Sequence, residues 1–264
     1  MTNNSLNGNM TFPIKKPIGQ LSLEVHANRV AAGQAAGMAV ADALRNALAQ
    51  KGTARIIFAA APSQNETLET LVAAPGIDWK KVTAFHMDEY IGLDDHAPQR
   101  FSHYLQTRVF DKLPLGEVNL MVCGDPQSIC ATYAKKLQES PIDVVCMGVG
   151  ENGHIAFNDP PVADFNDPEW VKVVELDLAC RQQQVNDGCF PNLEAVPNQA
   201  VTLTIPALLA GEHLICTILG ERKRAAVHRM ISDDISTEHP ATILRTKKSC
   251  TVYIDQDCWG PASV

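Results

Sequence analysis

No apolar run in the 264-residue chain approaches the roughly 18 residues a membrane span needs, which excludes a helical membrane protein. Residues 1–20 contain Asn-rich and Lys-Lys elements but no apolar stretch of signal-peptide type. Cationic excess is missing as well: 22 Lys and Arg face 30 Asp and Glu, a formal charge of −8 that disfavours nucleic acid and anionic membranes as partners. The eight cysteines are scattered without a CxxC pair, so reduced, non-ligating thiols are expected rather than a disulfide framework or zinc ribbon. His86, Asp88 and His154 have metal-ligand chemistry, but no HxxxH or HxH spacing supports a site, and no metal is expected. No linker, charge block or internal repeat divides the chain. The expectation is a cytoplasmic protein with a flexible N-terminus over residues 1–20 and a single α/β catalytic domain over 21–264.

What is present alternates. Apolar and small residues recur at helical spacing from Ala27 to Gln50, and Arg55 to Ala61 then reads as a buried strand stopped by Pro62. Ser63 with Glu66 three residues later predicts a capping box and a helix to about Ala74. Strands are predicted at Val82–Met87, Asn119–Val122, Ile142–Met147, Val171–Leu176, Ala200–Thr204, Leu214–Leu219 and Thr251–Ile254. Helices are predicted at Ser102–Lys112, Gln127–Glu139 and Glu221–Met230, and a mobile, Pro-interrupted segment at Val162–Trp170. This order implies right-handed βαβ crossovers: an α/β, doubly wound, mainly parallel sheet with helices on both faces.

Chemistry-bearing residues cluster at strand ends, where α/β folds place their ligands. The run Gly148-Val149-Gly150-Glu151-Asn152-Gly153-His154-Ile155-Ala156-Phe157-Asn158-Asp159-Pro160-Pro161 follows the strand ending at Met147. His154 suits proton transfer near pH 7, and Asp159 is close enough in sequence to orient it. The glycines fit Gly-x-Gly-x-x-Gly, yet no helix-forming run follows, which argues against a dinucleotide. In His86-Met87-Asp88-Glu89-Tyr90, one of two adjacent carboxylates can face a cleft as a general base while the other faces structure; a cap plus a salt bridge explains the pair equally well. Ser63, Gln64 and Asn65 open a helix and could bind an anion there, or Ser63 could simply cap it. Arg222, Lys223 and Arg224 start another helix against its dipole, a cost that an anionic ligand would offset; a solvated face is the alternative.

Phe85 to Leu93, the glycine-rich run and Leu219-Gly220-Glu221-Arg222-Lys223-Arg224-Ala225 together resemble the glucosamine-6-phosphate deaminase (isomerase) family, whose modified Rossmann fold is shared with 6-phosphogluconolactonase. Tyr90 and His154-Ile155-Ala156-Phe157-Asn158 point to the deaminase branch. The resemblance implies a metal-free, cofactor-free conversion of glucosamine 6-phosphate to fructose 6-phosphate and ammonia. In it His154 opens the sugar ring, oriented by Asn152 and Asp159, Asp88 moves the C2 proton to C1, and Lys223 holds the phosphate. Ser63, Gln64, Asn65, Glu89, Gly153 and Arg181 complete the expected substrate contacts. Galactosamine 6-phosphate, a sugar lactone and non-catalytic binding of a sugar phosphate are the alternatives. The partners expected are a small sugar phosphate and, as an open option, further copies of the chain, with neither nucleic acid nor membrane. Where the family commonly has aspartate and glutamate, this chain has Asn152 and Asp159; a phosphate-contacting arginine downstream corresponds to Asn186. The serine, arginine and lysine of the activator site in hexameric bacterial members are not found between Val162 and Glu175, so no activation by an N-acetylated sugar phosphate is expected.

Overall fold

The computed structural model describes residues 11–260. A hairpin of β1 (Ile14–Ile18) and β2 (Leu21–His26) leads into α1 (Arg29–Lys51), then β3 (Ala54–Phe58), α2 (Asn65–Ala73), β4 (Val82–His86) and β5 (Asp88–Tyr90). Next come α3 (Phe101–Arg108), β6 (Glu117–Asn119), α4 (Pro126–Gln138), β7 (Val144–Met147), β8 (Val171–Glu175) and α5 (Leu178–Asn186). The chain closes with β9 (Gln199–Leu203), α6 (Ile205–Leu209), β10 (His213–Ile218), α7 (Arg224–Ser232), β11 (Cys250–Asp255) and α8 (Gln256–Trp259).

Eight strands form one sheet in the order β1-β2-β11-β10-β7-β3-β4-β6. Only β1 runs antiparallel, so the doubly wound architecture predicted from the alternation is observed. The central strands are apolar on both faces, as parallel strands covered on both sides must be: every residue of β7 is buried. Two apolar cores result. Side chains of α1, α2 and α3 pack on one face of the sheet, and those of α4, α6 and α7 on the other.

Local chemistry accounts for the first crossover. The Asn28 side chain accepts the Ala31 N–H at 2.9 Å to start α1, and Gly52, in the left-handed region at φ 76°, ends it with its N–H on Leu48 O. Gly33 and Gly37 lie one turn apart where α2 crosses; a Cβ on Gly37 would stand 2.6 Å from the Thr67 carbonyl, so small residues set how closely the helices approach.

Four expectations need correction. Within residues 1–20, Ile14–Ile18 form an edge strand zipped onto β2 in register Ile14↔Val25, so that part is not frayed; residues 1–10 lie outside the described residues. The capping box at Ser63 and Glu66 is absent. Pro62–Gln64 instead makes a 3-10 turn without a side-chain cap, because Glu66 is drawn away into an ion pair with Arg29 at 2.5 Å. The strands at 171–175 and 199–203 do not join the parallel sheet; they form a separate antiparallel sheet, β5-β9-β8, with Asp88 opposite Thr202. Helix α5 was not anticipated, since Cys180-Arg181-Gln182-Gln183-Gln184 offers no apolar stripe.

Candidate active site

The loops leaving the carboxyl ends of β3, β4, β7 and β10 enclose a cleft of about 440 Å³, a size typical of small-molecule sites. Strand β4 delivers the first functional group. His86 is fully buried with both ring nitrogens engaged: Nδ1–H donates to the Asp88 carbonyl at 2.9 Å, and Nε2 accepts the Met121 N–H at 2.8 Å. Its role is thus to hold the backbone of Asp88, and it has no free lone pair for a metal. The Asp88 side chain lines the cleft yet is only 6% exposed. Burial, reinforced by the charge of neighbouring Glu89, pushes its carboxyl well above the usual carboxylate range.

Glu89 points the other way. Its carboxylate accepts the N–H groups of Tyr90, Phe101 and Ser102 at 3.0, 3.1 and 2.9 Å and lies 3.5 Å from the Arg100 guanidinium, capping α3. It therefore does not line the cleft, where a substrate contact is expected from sequence; the alternation of side chains along β5 sends one carboxylate to each side.

Strand β7 delivers the second group. After Gly148 the chain turns tightly, with Gly150 N–H on the His154 carbonyl and Gly153 N–H on the Gly150 carbonyl. Gly150 carries the His154 ring against its backbone in space that a Cβ would fill, and Gly153, at φ 87°, takes the ring of His239 in the same way. Asn152 is a bridge: its oxygen accepts the His154 N–H at 3.0 Å and its amide donates to Asp159 Oδ1 at 2.9 Å. That carboxylate oxygen lies 3.0 Å from His154 Nδ1, an ion-pair distance without the alignment of a hydrogen bond. Burial alone would raise the Asp159 carboxyl, but the His154 charge and the hydrogen-bonding neighbours outweigh it and hold it below its ordinary value. The loop is fastened to β9, since Phe157 N–H donates to Thr202 Oγ1 at 3.1 Å and the Asn158 amide donates to the Leu203 carbonyl at 2.8 Å.

The opposite wall is cationic. Gly220, at φ 92°, donates its N–H to both carboxylate oxygens of Asp255 at 3.0 and 3.2 Å and turns the chain so that Lys223 faces the cleft. Lys223 is 7% exposed and has no hydrogen bond or ion pair among the described residues. Burial lowers its ammonium pKa, against the opposing pull of Asp187 and Glu151. Ser63 and the fully buried Gln64 also line the cleft, Gln64 donating to the Thr217 carbonyl at 3.3 Å.

Of the residues predicted from sequence, Asp88, His154, Ser63, Gln64 and Lys223 meet in the cleft, with Asn152 and Asp159 directly behind His154. Three more do not line it. Asn65 accepts the Tyr104 hydroxyl at 2.6 Å, Arg181 donates to the carbonyls of Leu193 and Val196 at 2.7 and 3.0 Å, and the Gly153 contacts are with His239 and Ala241. The segment 162–170 does not cover the cleft either; Lys172 ties it down through Val162 O at 2.6 Å and Asp167 at 2.7 Å. Conversely, Arg29, Gln183, Gln184 and Asp187 line the cleft without having been anticipated. Arg29 follows the capping Asn28, a helix-start signal that could have flagged it; nothing marks the other three once α5 is missed.

These features define the class: a doubly wound α/β protein with an acid–base cleft at the carboxyl ends of its parallel strands. The chain belongs to the glucosamine-6-phosphate isomerases/6-phosphogluconolactonase family, whose model matches residues 27–253. It is 35% identical over 182 residues to a glucosamine-6-phosphate deaminase of Exiguobacterium sp. (strain ATCC BAA-1283 / AT1b), spanning 68% of this chain and 69% of that one. A glucosamine-6-phosphate deaminase of Enterococcus faecalis (strain ATCC 700802 / V583) is 29% identical over 76% of this chain and 85% of its own. Among solved structures, a monomeric glucosamine-6-phosphate deaminase superposes with a TM-score of 0.82 at 25% identity, covering 90% of this chain and 98% of that one. A 6-phosphogluconolactonase-like protein of Neisseria gonorrhoeae FA 1090 shares the fold, with a TM-score of 0.70 at 20% identity over 89% of this chain and 99% of its own. No helix among the described residues is long and apolar enough to cross a membrane.

Proposed function

We propose that the protein is a deaminase-isomerase of a phosphorylated amino sugar, with glucosamine 6-phosphate as the leading substrate and fructose 6-phosphate and ammonia as products. The observation that carries this reading is the pairing, in one cleft, of a buried carboxylate at the start of β5, just beyond β4, with an imidazole backed by a second carboxylate on the loop after β7. Isomerisation with loss of an amine at C2 needs both: a group that opens the pyranose ring, and a base that removes a carbon-bound proton. A lactonase would need no carbon-proton base.

Lys223 receives the 6-phosphate, which gives its buried ammonium the direct ion pair it lacks among the described residues. His154 shuttles the ring-oxygen proton as the pyranose opens, its ring held against Gly150 and steadied by Asp159, while Asn152 ties the loop backbone to that same carboxylate. The Asp88 carboxylate then takes the C2 proton to give the enolamine and returns it at C1; water adds to the resulting C2 iminium, and the carbinolamine so formed collapses to the ketone as ammonia leaves. Its raised pKa strengthens it as a base and lets it keep the proton long enough to deliver it. The ring-oxygen proton and the carbon-bound proton each have a protein group assigned, water is the one co-reactant, and the reading invokes no cofactor. It places the reaction in the cytoplasm and leaves association with further copies of the chain open.

The test is ammonia release from glucosamine 6-phosphate, galactosamine 6-phosphate and a sugar lactone control, with the wild type beside Asp88→Asn. Ammonia from an amino sugar phosphate, lost in Asp88→Asn, is the expected result. Lactone hydrolysis that survives the substitution, or tight binding without turnover, would overturn the reading.

A further inference from the structure

Helix α5 brings a third donor to the imidazole–carboxylate pair. The Cys180 thiol is 1% exposed, and its Sγ lies with His154 Nδ1 and an Asp159 carboxylate oxygen in a group whose atoms are all within 4.8 Å of one another. Two of these side chains are incompletely satisfied. Asp159, whose side chain is 1% exposed, has no well-formed hydrogen bond to Oδ2, the Cys180 thiol interacting with its carboxylate as a weak donor, and the contact of His154 Nδ1 with Oδ1 lacks hydrogen-bond alignment. Buried polar atoms left in this way are destabilising and favour a ligand that engages them.

We propose that His154 Nδ1, the Asp159 carboxylate and Cys180 Sγ form an inhibitory binding site for zinc(II). The donor set is the borderline-soft mixture of imidazole, carboxylate and thiolate that suits zinc and not magnesium or calcium. The geometry is close to what the ion requires: zinc bond lengths put tetrahedral neighbours roughly 3.3 Å apart for nitrogen and oxygen and roughly 3.6 Å apart when one is sulfur. The observed 3.0 Å between His154 and Asp159 and the 4.8 Å limit for the trio need only side-chain adjustment. On binding, Cys180 gives up its thiol proton and His154 its Nδ1 proton to solvent, zinc takes the sulfur and Nδ1 lone pairs, and His154 keeps its proton on Nε2. No electron is transferred, and a water completes the coordination. The ion then occupies the Nδ1 lone pair and cancels the charge on Asp159, so His154 can no longer be oriented and recharged during ring opening. The inhibition rests on the proposed function; the binding does not.

The test uses the full-length protein stripped of metal with a chelator, titrated with zinc chloride by isothermal calorimetry, with magnesium chloride as comparator. Cobalt(II) is added separately to read thiolate-to-metal charge transfer. The wild type is expected to take up one zinc with micromolar affinity and to ignore magnesium. Cys180→Ser and Cys180→Ala, both checked for an unchanged melting transition, bind zinc at least about 100-fold more weakly and lose the cobalt–thiolate absorption. Two substitutions guard against one of them misfolding. Absence of zinc binding in the wild type, or equal binding in both variants, overturns the site. In the activity arm, zinc suppresses ammonia release by the wild type reversibly with chelator and spares Cys180→Ser; equal suppression of both, or none, overturns the inhibition. If no amino sugar phosphate is turned over at all, the proposed function fails, while calorimetry and the cobalt spectrum still decide the metal site.

Discussion

Replacing Gly153 by alanine separates backbone geometry from chemistry in the loop that carries His154. Gly153 adopts φ 87°, and a Cβ there would lie 2.6 Å from His239 Nδ1. Two penalties apply. Holding an L-residue in the left-handed region costs roughly 1–2 kcal/mol. Forcing a methyl group into a filled site costs typically 1–3 kcal/mol more. The His239 ring cannot simply retreat, since it is 4% exposed and its Nε2 lies 3.2 Å from the Ala226 carbonyl. The sum is a destabilisation of about 2–5 kcal/mol, which for a chain of this size corresponds to a fall in Tm of roughly 5–15 °C. Thermal and urea unfolding of Gly153→Ala, His239→Ala and the double variant give the coupling. Removing the ring should relieve the overlap and leave the backbone penalty, so the two substitutions are expected to be non-additive by about 1–3 kcal/mol. Strict additivity, or a loss below about 1 kcal/mol in Gly153→Ala, would refute the claim that the His239 ring and the turn hold each other in place.

Three further outcomes follow from the buried charges. Asp88 has a folded-state pKa above its unfolded value, so the native state binds more protons and stability falls as pH rises from the unfolded pKa through the folded one; Asp88→Asn removes that loss. The variant should be inactive in ammonia release yet melt about 2–6 °C higher at neutral pH, an exchange of stability for activity worth on the order of 0.5–2 kcal/mol; an equal or lower Tm contradicts it. Asp159 has the opposite sign: its depressed pKa contributes stability above the unfolded value that is lost as pH falls through the folded one. Melting curves of wild type and Asp159→Asn should therefore converge on acidification from about pH 5 to pH 3, and a constant gap would exclude this linkage. Lys223→Met should raise KM for the phosphorylated sugar by about 10- to 100-fold, the worth of a charge-assisted contact, without lowering Tm; an unchanged KM would place the anion elsewhere.

Periodicity was a good guide wherever burial alone decides structure. The apolar run at Val144–Met147 and the small-residue helix at Arg29–Lys51 stand within a few residues of where the pattern puts them. It failed where polar contacts decide. Helix α5 depends on the cap from Asp177 and on Gln183 accepting the Glu151 N–H at 2.7 Å, a long-range contact that no local pattern encodes. Ser63 has no capping box because its expected partner Glu66 is taken by Arg29, 37 residues before Glu66 in the chain. The same holds for the site. The cleft positions of Asp88, His154 and Lys223 are legible because each follows a strand end beside an unusual neighbour, whereas Glu89, Arg181 and Asn65 turn out of the cleft because a side chain's direction depends on partners remote in sequence.

Strand β9 lies opposite Asp88 through Thr202, receives the loop of His154 through the Thr202 hydroxyl and the Leu203 carbonyl, and arrives 45 residues after that loop in the chain. The parallel sheet can begin to assemble from the earlier strands, but the spacing between the two acid–base groups waits for this one segment. A growing or partly folded chain can therefore bury much of its core while its cleft remains unset, and the two reactive groups come to share one cleft only once nearly the whole domain has committed to its fold.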